Sequence, residues 1–151
     1  MYKSDCVFCK ITKNILPAKI ILEDDNHLAF LANRPNTEGF TVVITKNHYD
    51  SYFAELPTEV LRDLSIFCSR TAKLLDETFT DVGRTGLIFE GFGVNHIHAK
   101  LIPLHGTKDS EWQKKISPVD KYFDHYEGYI SSHDYGEADR PEIALTYSKF
   151  K

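Results

Sequence analysis

The segment "NHIHAKLIP", from Asn95 to Pro103, carries two histidines and a lysine at alternate positions. In an extended strand successive side chains point to opposite faces, so His96, His98 and Lys100 share one face while Ile97, Ala99 and Leu101 share the other. Neighbours on one face lie about 7 Å apart, a row that suits an anion with several oxygens. A neutral imidazole is a nucleophile, and its attack on phosphorus forms a phosphoramidate, splitting one hard displacement into two easier ones. Nucleotidyl transfer otherwise rests on positioning and on neutralising charge. Lys100 and the backbone N–H groups of the preceding "GFGVN" loop can do the second. The competing reading is the polar outer face of an antiparallel strand, where such alternation is the rule, and HxHxK alone does not decide between them.

A second group of chemistry-bearing residues opens the chain. Cys6 and Cys9, in "CVFC", have the spacing with which two thiolates grip one zinc ion, but a tetrahedral site needs two further ligands. His48, after the strand-like "FTVVITK", and His96 are candidates among the seven histidines. The alternatives are a pair of semi-buried thiols acting as small hydrophobes, or a redox pair, although the opening lacks the βαβ context the latter wants.

These residues need elements to position them. The run "AKIILEDDNHLAFLA" reads as a hairpin about a polar turn, and "FTVVITK" as a β-branched strand. From Leu56 to Phe79 apolar residues recur at three- and four-residue steps, which predicts an amphipathic helix with Pro57 in its first turn. "TGLIFE" and "HIHAKLIP" read as strands joined by the glycine-bearing loop. Together these predict an antiparallel sheet with a long helix on one face. Beyond about residue 105 periodicity fades, and only a short strand from Tyr129 to Ser132 is expected.

Composition narrows the function. The chain has 151 residues, 42% hydrophobic and 26% charged, which fits a single globular domain over 1–151. A net charge of −4 with scattered basic residues gives no footprint for a long nucleic acid. No apolar run suggests a membrane span, the first residues lack the apolar region of a signal peptide, and three cysteines fit a reducing compartment. The expected location is the cytoplasm. Cys68 falls on the apolar stripe of the helix and is expected to be buried; His105, His125 and His133 read as surface or hydrogen-bonding residues, with His105 in reach of a leaving group.

The order CxxC, "ILEDDNHLAFLANRP", "GFTVVITKNHYDSYFAELP", long helix, glycine loop, HxHx resembles the histidine-triad (HIT) family of nucleotide hydrolases and transferases. The resemblance implies an α+β fold with a five-stranded antiparallel sheet, usually paired into a homodimer. It implies that His98, the middle motif histidine, takes up a nucleotidyl group from the α-phosphate of a nucleotide derivative, as in phosphoramidases or dinucleoside polyphosphate hydrolases. It also implies a structural zinc held by Cys6, Cys9, His48 and His96. Phe30 matches a residue lining the nucleoside pocket, Asn33 is a stand-in for a ribose-binding residue beside Ala32, and Gly91 and Gly93 lie in the phosphate loop with Lys100 beside it. The departures are Lys100 in place of the third histidine, where the uridylyltransferase branch has glutamine, and Phe89 and Phe92 where polar residues are usual. The alternative these departures imply is a weak or inactive nucleotide-binding or phosphometabolite-binding protein of the same fold.

Overall fold

A computed structural model describes residues 2–109, 113–136 and 141–150. The chain divides into two compact units, Met1–Glu111 and Trp112–Lys151. In the first unit helix α1 (Val7–Thr12) is followed by strands β1 (Ile20–Glu23), β2 (His27–Leu31) and β3 (Thr41–Thr45), helix α2 (Thr58–Thr78), and strands β4 (Thr85–Ile88) and β5 (His98–Pro103). The strands form one antiparallel sheet in the order β1-β2-β3-β5-β4. The expected five-stranded sheet with a long helix is therefore present.

Alternation along the strands sorts their side chains into two layers. On one face Ala29, Val43, Ala99 and Leu101 meet Leu64, Phe67, Cys68 and Leu75 of α2, with Ile97 joining from just before β5. On the other, Leu28, Phe30 and Ile44 pack with Ile11 and Phe8 of α1. The one-residue offset leaves His98 and Lys100 on the α1 side once Ala99 and Leu101 are committed to the core.

Three boundaries differ from the sequence reading. Pro57 is the residue capping α2 rather than part of its first turn, and a short 3-10 turn, Phe53–Glu55, precedes it. The β5 ladder begins at His98, paired with Ile44. His96 lies before it, because β3 ends at Thr45, whose hydroxyl turns to donate to the Asn47 carbonyl. In the second unit residues 129–132 form no strand. A strand needs a partner for its N–H and C=O groups, and no ladder forms among that unit's described residues. Its regular element is instead helix α3 (Pro141–Ser148), opened by a proline suited to the first helical turn. No described helix is long and apolar enough to cross a membrane.

Candidate functional site

Helix α1 begins on a thiol. Cys6 is its capping residue, in extended conformation, and its Sγ accepts the Cys9 N–H at 3.4 Å. The spacing that places a cap three residues from the amide it satisfies is the same spacing that puts both sulfurs at one end of the helix. The helix closes at Asn14 (φ 57°), a residue type that tolerates the left-handed region.

Two imidazoles meet these sulfurs. His96 Nδ1 lies 3.4 Å from Cys6 Sγ and 3.7 Å from Cys9 Sγ, and His48 Nδ1 lies 3.5 Å from Cys9 Sγ. All four donor atoms fall within 4.8 Å of one another. Tetrahedral zinc, with bonds of about 2.3 Å to sulfur and about 2.0 Å to nitrogen, separates its sulfur and nitrogen ligands by about 3.6 Å. The three observed sulfur–nitrogen spacings match edges of such a tetrahedron, so the donor set fits a metal ion. His96 Nε2–H donates to the Thr45 carbonyl at 2.8 Å, which leaves the Nδ1 lone pair to the sulfur side. Burial pushes the pKa of His96 down to about 4, with the Thr45 hydrogen bond opposing and the neighbouring His48 and His98 adding to the shift. The ring is neutral, the form that ligates metals. His48 Nε2 is buried without a hydrogen bond; Asp50 Oδ1 stands 3.5 Å away, beyond ordinary N–H···O range.

His98 follows two residues later on the same side. It is 4% exposed, and its Nδ1–H donates to the His96 carbonyl at 2.8 Å, leaving Nε2 with the lone pair. Burial lowers its pKa, opposed by the His96 hydrogen bond; Lys100 pushes it further down and Glu90 pushes it up. A neutral, oriented imidazole can act as a nucleophile. The ring is held from the side by Phe8, one of the two residues between the cysteines. Phe8 meets His98 edge-on at 5.4 Å, and both His96 and Phe30 at 5.8 Å.

Lys100 does not face the site as an unpartnered cation. Its ammonium is paired with the carboxylate of Glu90, a side chain only 5% exposed against 30% for the lysine. Sequence reasoning did not single out Glu90. Its signal lies in the register Ile88↔Lys100, which carries the residue two places beyond β4 to the lysine, and register is not readable from composition.

Glu90 begins the loop to β5. Gly91 and Gly93 there adopt φ of 77° and 91°, a region that disfavours other residues. A side chain at Gly91 would stand 3.2 Å from the Ser51 carbonyl oxygen, and the Ser51 hydroxyl donates to the Gly91 carbonyl at 2.7 Å. The backbones approach closely at Gly91, as the sequence suggests, whereas Gly93 faces open space. Asn95 ties the end of the loop to the segment after β3, accepting from Ser51 N–H and donating to Asp50, each at 3.0 Å.

The remaining candidates fall in varied places. Phe30 is buried beside Phe8, and Asn33 is exposed in the loop between β2 and β3. His105 is engaged at both ring nitrogens, with Asp81 and with the Glu38 carbonyl. Cys68 is buried in the core, its thiol pushed up to about 12 by that burial.

Comparison with known proteins places this arrangement. A profile of the HIT domain matches residues 13–107, a span that holds His48, His96 and His98 and begins after the two cysteines. An uncharacterized HIT-like protein of Methanocaldococcus jannaschii is 36% identical over 102 residues, covering 65% of this chain and 78% of that protein. The adenosine 5'-monophosphoramidase of Saccharomyces cerevisiae is 31% identical over 120 residues, covering 77% and 75%. Among solved structures, a Zn-bound histidine triad family protein from Mycobacterium smegmatis matches with a TM-score of 0.62 at 28% identity, covering 74% of this chain and 83% of that one. A HIT family protein from Bacillus anthracis matches at 0.61 and 27%, covering 98% of both.

Proposed function

The chain belongs to the HIT domain family, and from that premise we propose that it is a nucleotide hydrolase or nucleotidyltransferase acting at the α-phosphate of a small nucleotide derivative. The observation that carries the reading is the state of His98: neutral, with Nδ1 fixed by the His96 carbonyl and Nε2 left with its lone pair. In this mechanism Nε2 attacks the α-phosphorus, the bond to the leaving group breaks, and a covalent nucleotidyl-His98 forms. Water or a second acceptor then attacks phosphorus and returns the electron pair to Nε2. Phe30, Asn33, Gly91 and Gly93 form the nucleotide-binding surface, with Lys100 beside the phosphates. Relatives named adenosine 5'-monophosphoramidases support this class of chemistry.

Cys6, Cys9, His48 and His96 hold a zinc ion in this reading. With four protein ligands the ion has no open position and serves structure, joining α1 to the segments before β5 and after β3. The close gathering of the four donor atoms and the Zn-bound relative support it. A homodimer in the cytoplasm completes the proposal.

The test is His98→Ala. Turnover is expected to vanish while the metal content of the purified protein stays unchanged; full activity in that variant would refute the nucleophile. A pure nucleotide binder is the competing reading, favoured by the engagement of Lys100 with Glu90 and by Phe89, which stacks on Phe53 instead of offering a polar group. Incubation with nucleotidyl phosphoramidates and dinucleoside polyphosphates separates the two, because only the enzyme gains the mass of one nucleotidyl group on His98.

A further inference from the structure

On the α2 side of the sheet, the face turned away from His98, the β1–β2 turn, the end of β3 and the first turns of α2 enclose a cavity of about 180 Å³, room for roughly six waters. Its floor is polar. His27 and Thr45 are register partners on β2 and β3, 5% and 3% exposed, and alternation puts them on the same face as Ala29 and Val43, which pack on α2. Tyr49 and Val60, both half-buried, form the walls. The exposed carboxylates of Glu59 and Asp63 stand at the rim.

The floor presents acceptors. His27 stacks on Phe67 with ring centroids 5.0 Å apart, and its Nδ1–H donates to Asp24 Oδ1 at 3.0 Å, so the imidazole is fixed in orientation. No described residue bonds its Nε2, although the side chain is only 7% exposed. In the neutral ring that atom carries a lone pair. Thr45 gives its hydroxyl proton to the Asn47 carbonyl, which leaves its Oγ1 as a second acceptor. A buried acceptor without a donor is costly, and here the open side of the cavity is the direction from which a donor arrives.

The rim sets the charge. Glu59 and Asp63 lie one turn apart on α2 and share a face, and no lysine or arginine among the described residues lines the cavity. Glu59 complements the first turn of the helix, and Asp63 pairs with Arg62 at 2.9 Å. The helix end carries only about half a charge and an exposed ion pair is weak, so the mouth stays negative. A bare metal ion does not match: among the described residues, donor atoms gather within 4.8 Å at Cys6, Cys9, His48 and His96 instead. The ligand that fits has a cationic end for the rim, an apolar middle for Tyr49 and Val60, and a donor end for the floor. That donor end is uncharged, because both floor acceptors are neutral and an ammonium buried against them would lose its hydration without a carboxylate in return.

We propose that this cavity binds a short aliphatic amino alcohol, its ammonium held by Glu59 and Asp63 and its hydroxyl donating to His27 Nε2 and Thr45 Oγ1. Asp24 is a positioning residue that fixes the His27 ring. The sheet separates this site from His98, and the inference does not depend on the chemistry proposed there.

The experiment is calorimetric titration of the purified full chain near pH 8, where an aliphatic ammonium keeps its proton, with the His27 ring nitrogens followed by NMR. The probes are 4-amino-1-butanol, 1,4-butanediol, butylamine, 1,4-diaminobutane and Mn²⁺. One amino alcohol is expected to bind per chain, at least about tenfold more tightly than the diol, which lacks the charge, or the amine, which lacks the floor donor. Glu59→Gln is expected to weaken it at least about fivefold, and Asp63→Asn by less because Arg62 shares that carboxylate. Both side chains are exposed, so neither change puts the fold at risk. The Nε2 signal of His27 is expected to move with the amino alcohol and to stay in place with butylamine. Equal affinity for the diol, undiminished affinity in Glu59→Gln, or an unmoved His27 signal at saturation would overturn the proposal. So would tighter binding of the diamine, displacement of the amino alcohol by stoichiometric Mn²⁺, or the absence of saturable binding.

Discussion

Asp24 shows how a single carboxylate can fasten an element boundary. At the turn between β1 and β2 its Oδ1 accepts from the backbone N–H groups of Asn26 and His27 at 3.0 and 2.8 Å and from the His27 ring at 3.0 Å, while Oδ2 accepts from Arg70 of α2 at 3.2 Å. Burial opposes its charge, yet the Asn26 and His27 hydrogen bonds prevail and hold its pKa below the usual 3.8. A carboxyl depressed in the folded state contributes stability that is present above the unfolded value and is lost as pH falls through the folded one. Asp24→Asn is therefore expected to lower stability by about 1–2 kcal/mol near pH 7 and by less near pH 3. Urea unfolding of both proteins at the two pH values measures it. At this scale the sequence was readable where alternation alone decides, as for His96, His98 and Ile97. It was unreadable where a partner comes from another strand, as Glu90 does for Lys100.

At the scale of elements, α1 depends most on its surroundings. Six residues are too few to be stable alone, and its anchors are Cys6 and Cys9 at one end and the packing of Phe8 and Ile11 against β2 and β3. Removing the proposed metal with a chelator is expected to abolish hydrogen-exchange protection over residues 7–12 and to lower the rate of the proposed adduct formation at His98, since Phe8 supports that ring. Protection in α2 is expected to persist, because its contacts with the sheet contain no ligand. Unchanged protection in α1 after complete metal removal would contradict this dependence. The long helix and the strands were legible because apolar residues repeat at periods of 3.6 and 2 over many residues. The end of β5 was not: whether a ladder reaches His96 depends on where its partner β3 turns away.

For the whole molecule, both apolar clusters, the four sulfur and nitrogen donors, His98 and the Glu90–Lys100 pair lie before residue 109. A chain ending there is expected to unfold cooperatively and to bind the metal proposed above, which calorimetry and elemental analysis can check. The second unit was the least legible part because its aromatic residues follow neither period. Its helix α3 announces itself only by the proline at its start.

The placement of the three cysteines gives the protein a built-in tally. With Cys6 and Cys9 engaged by the ion proposed above and Cys68 sealed beneath α2, an alkylating reagent should modify no sulfur of the loaded fold. Stripping the ion opens two sites while the third waits for denaturant, so zero, two and three adducts in a mass spectrum would separately mark the filled, emptied and unfolded forms.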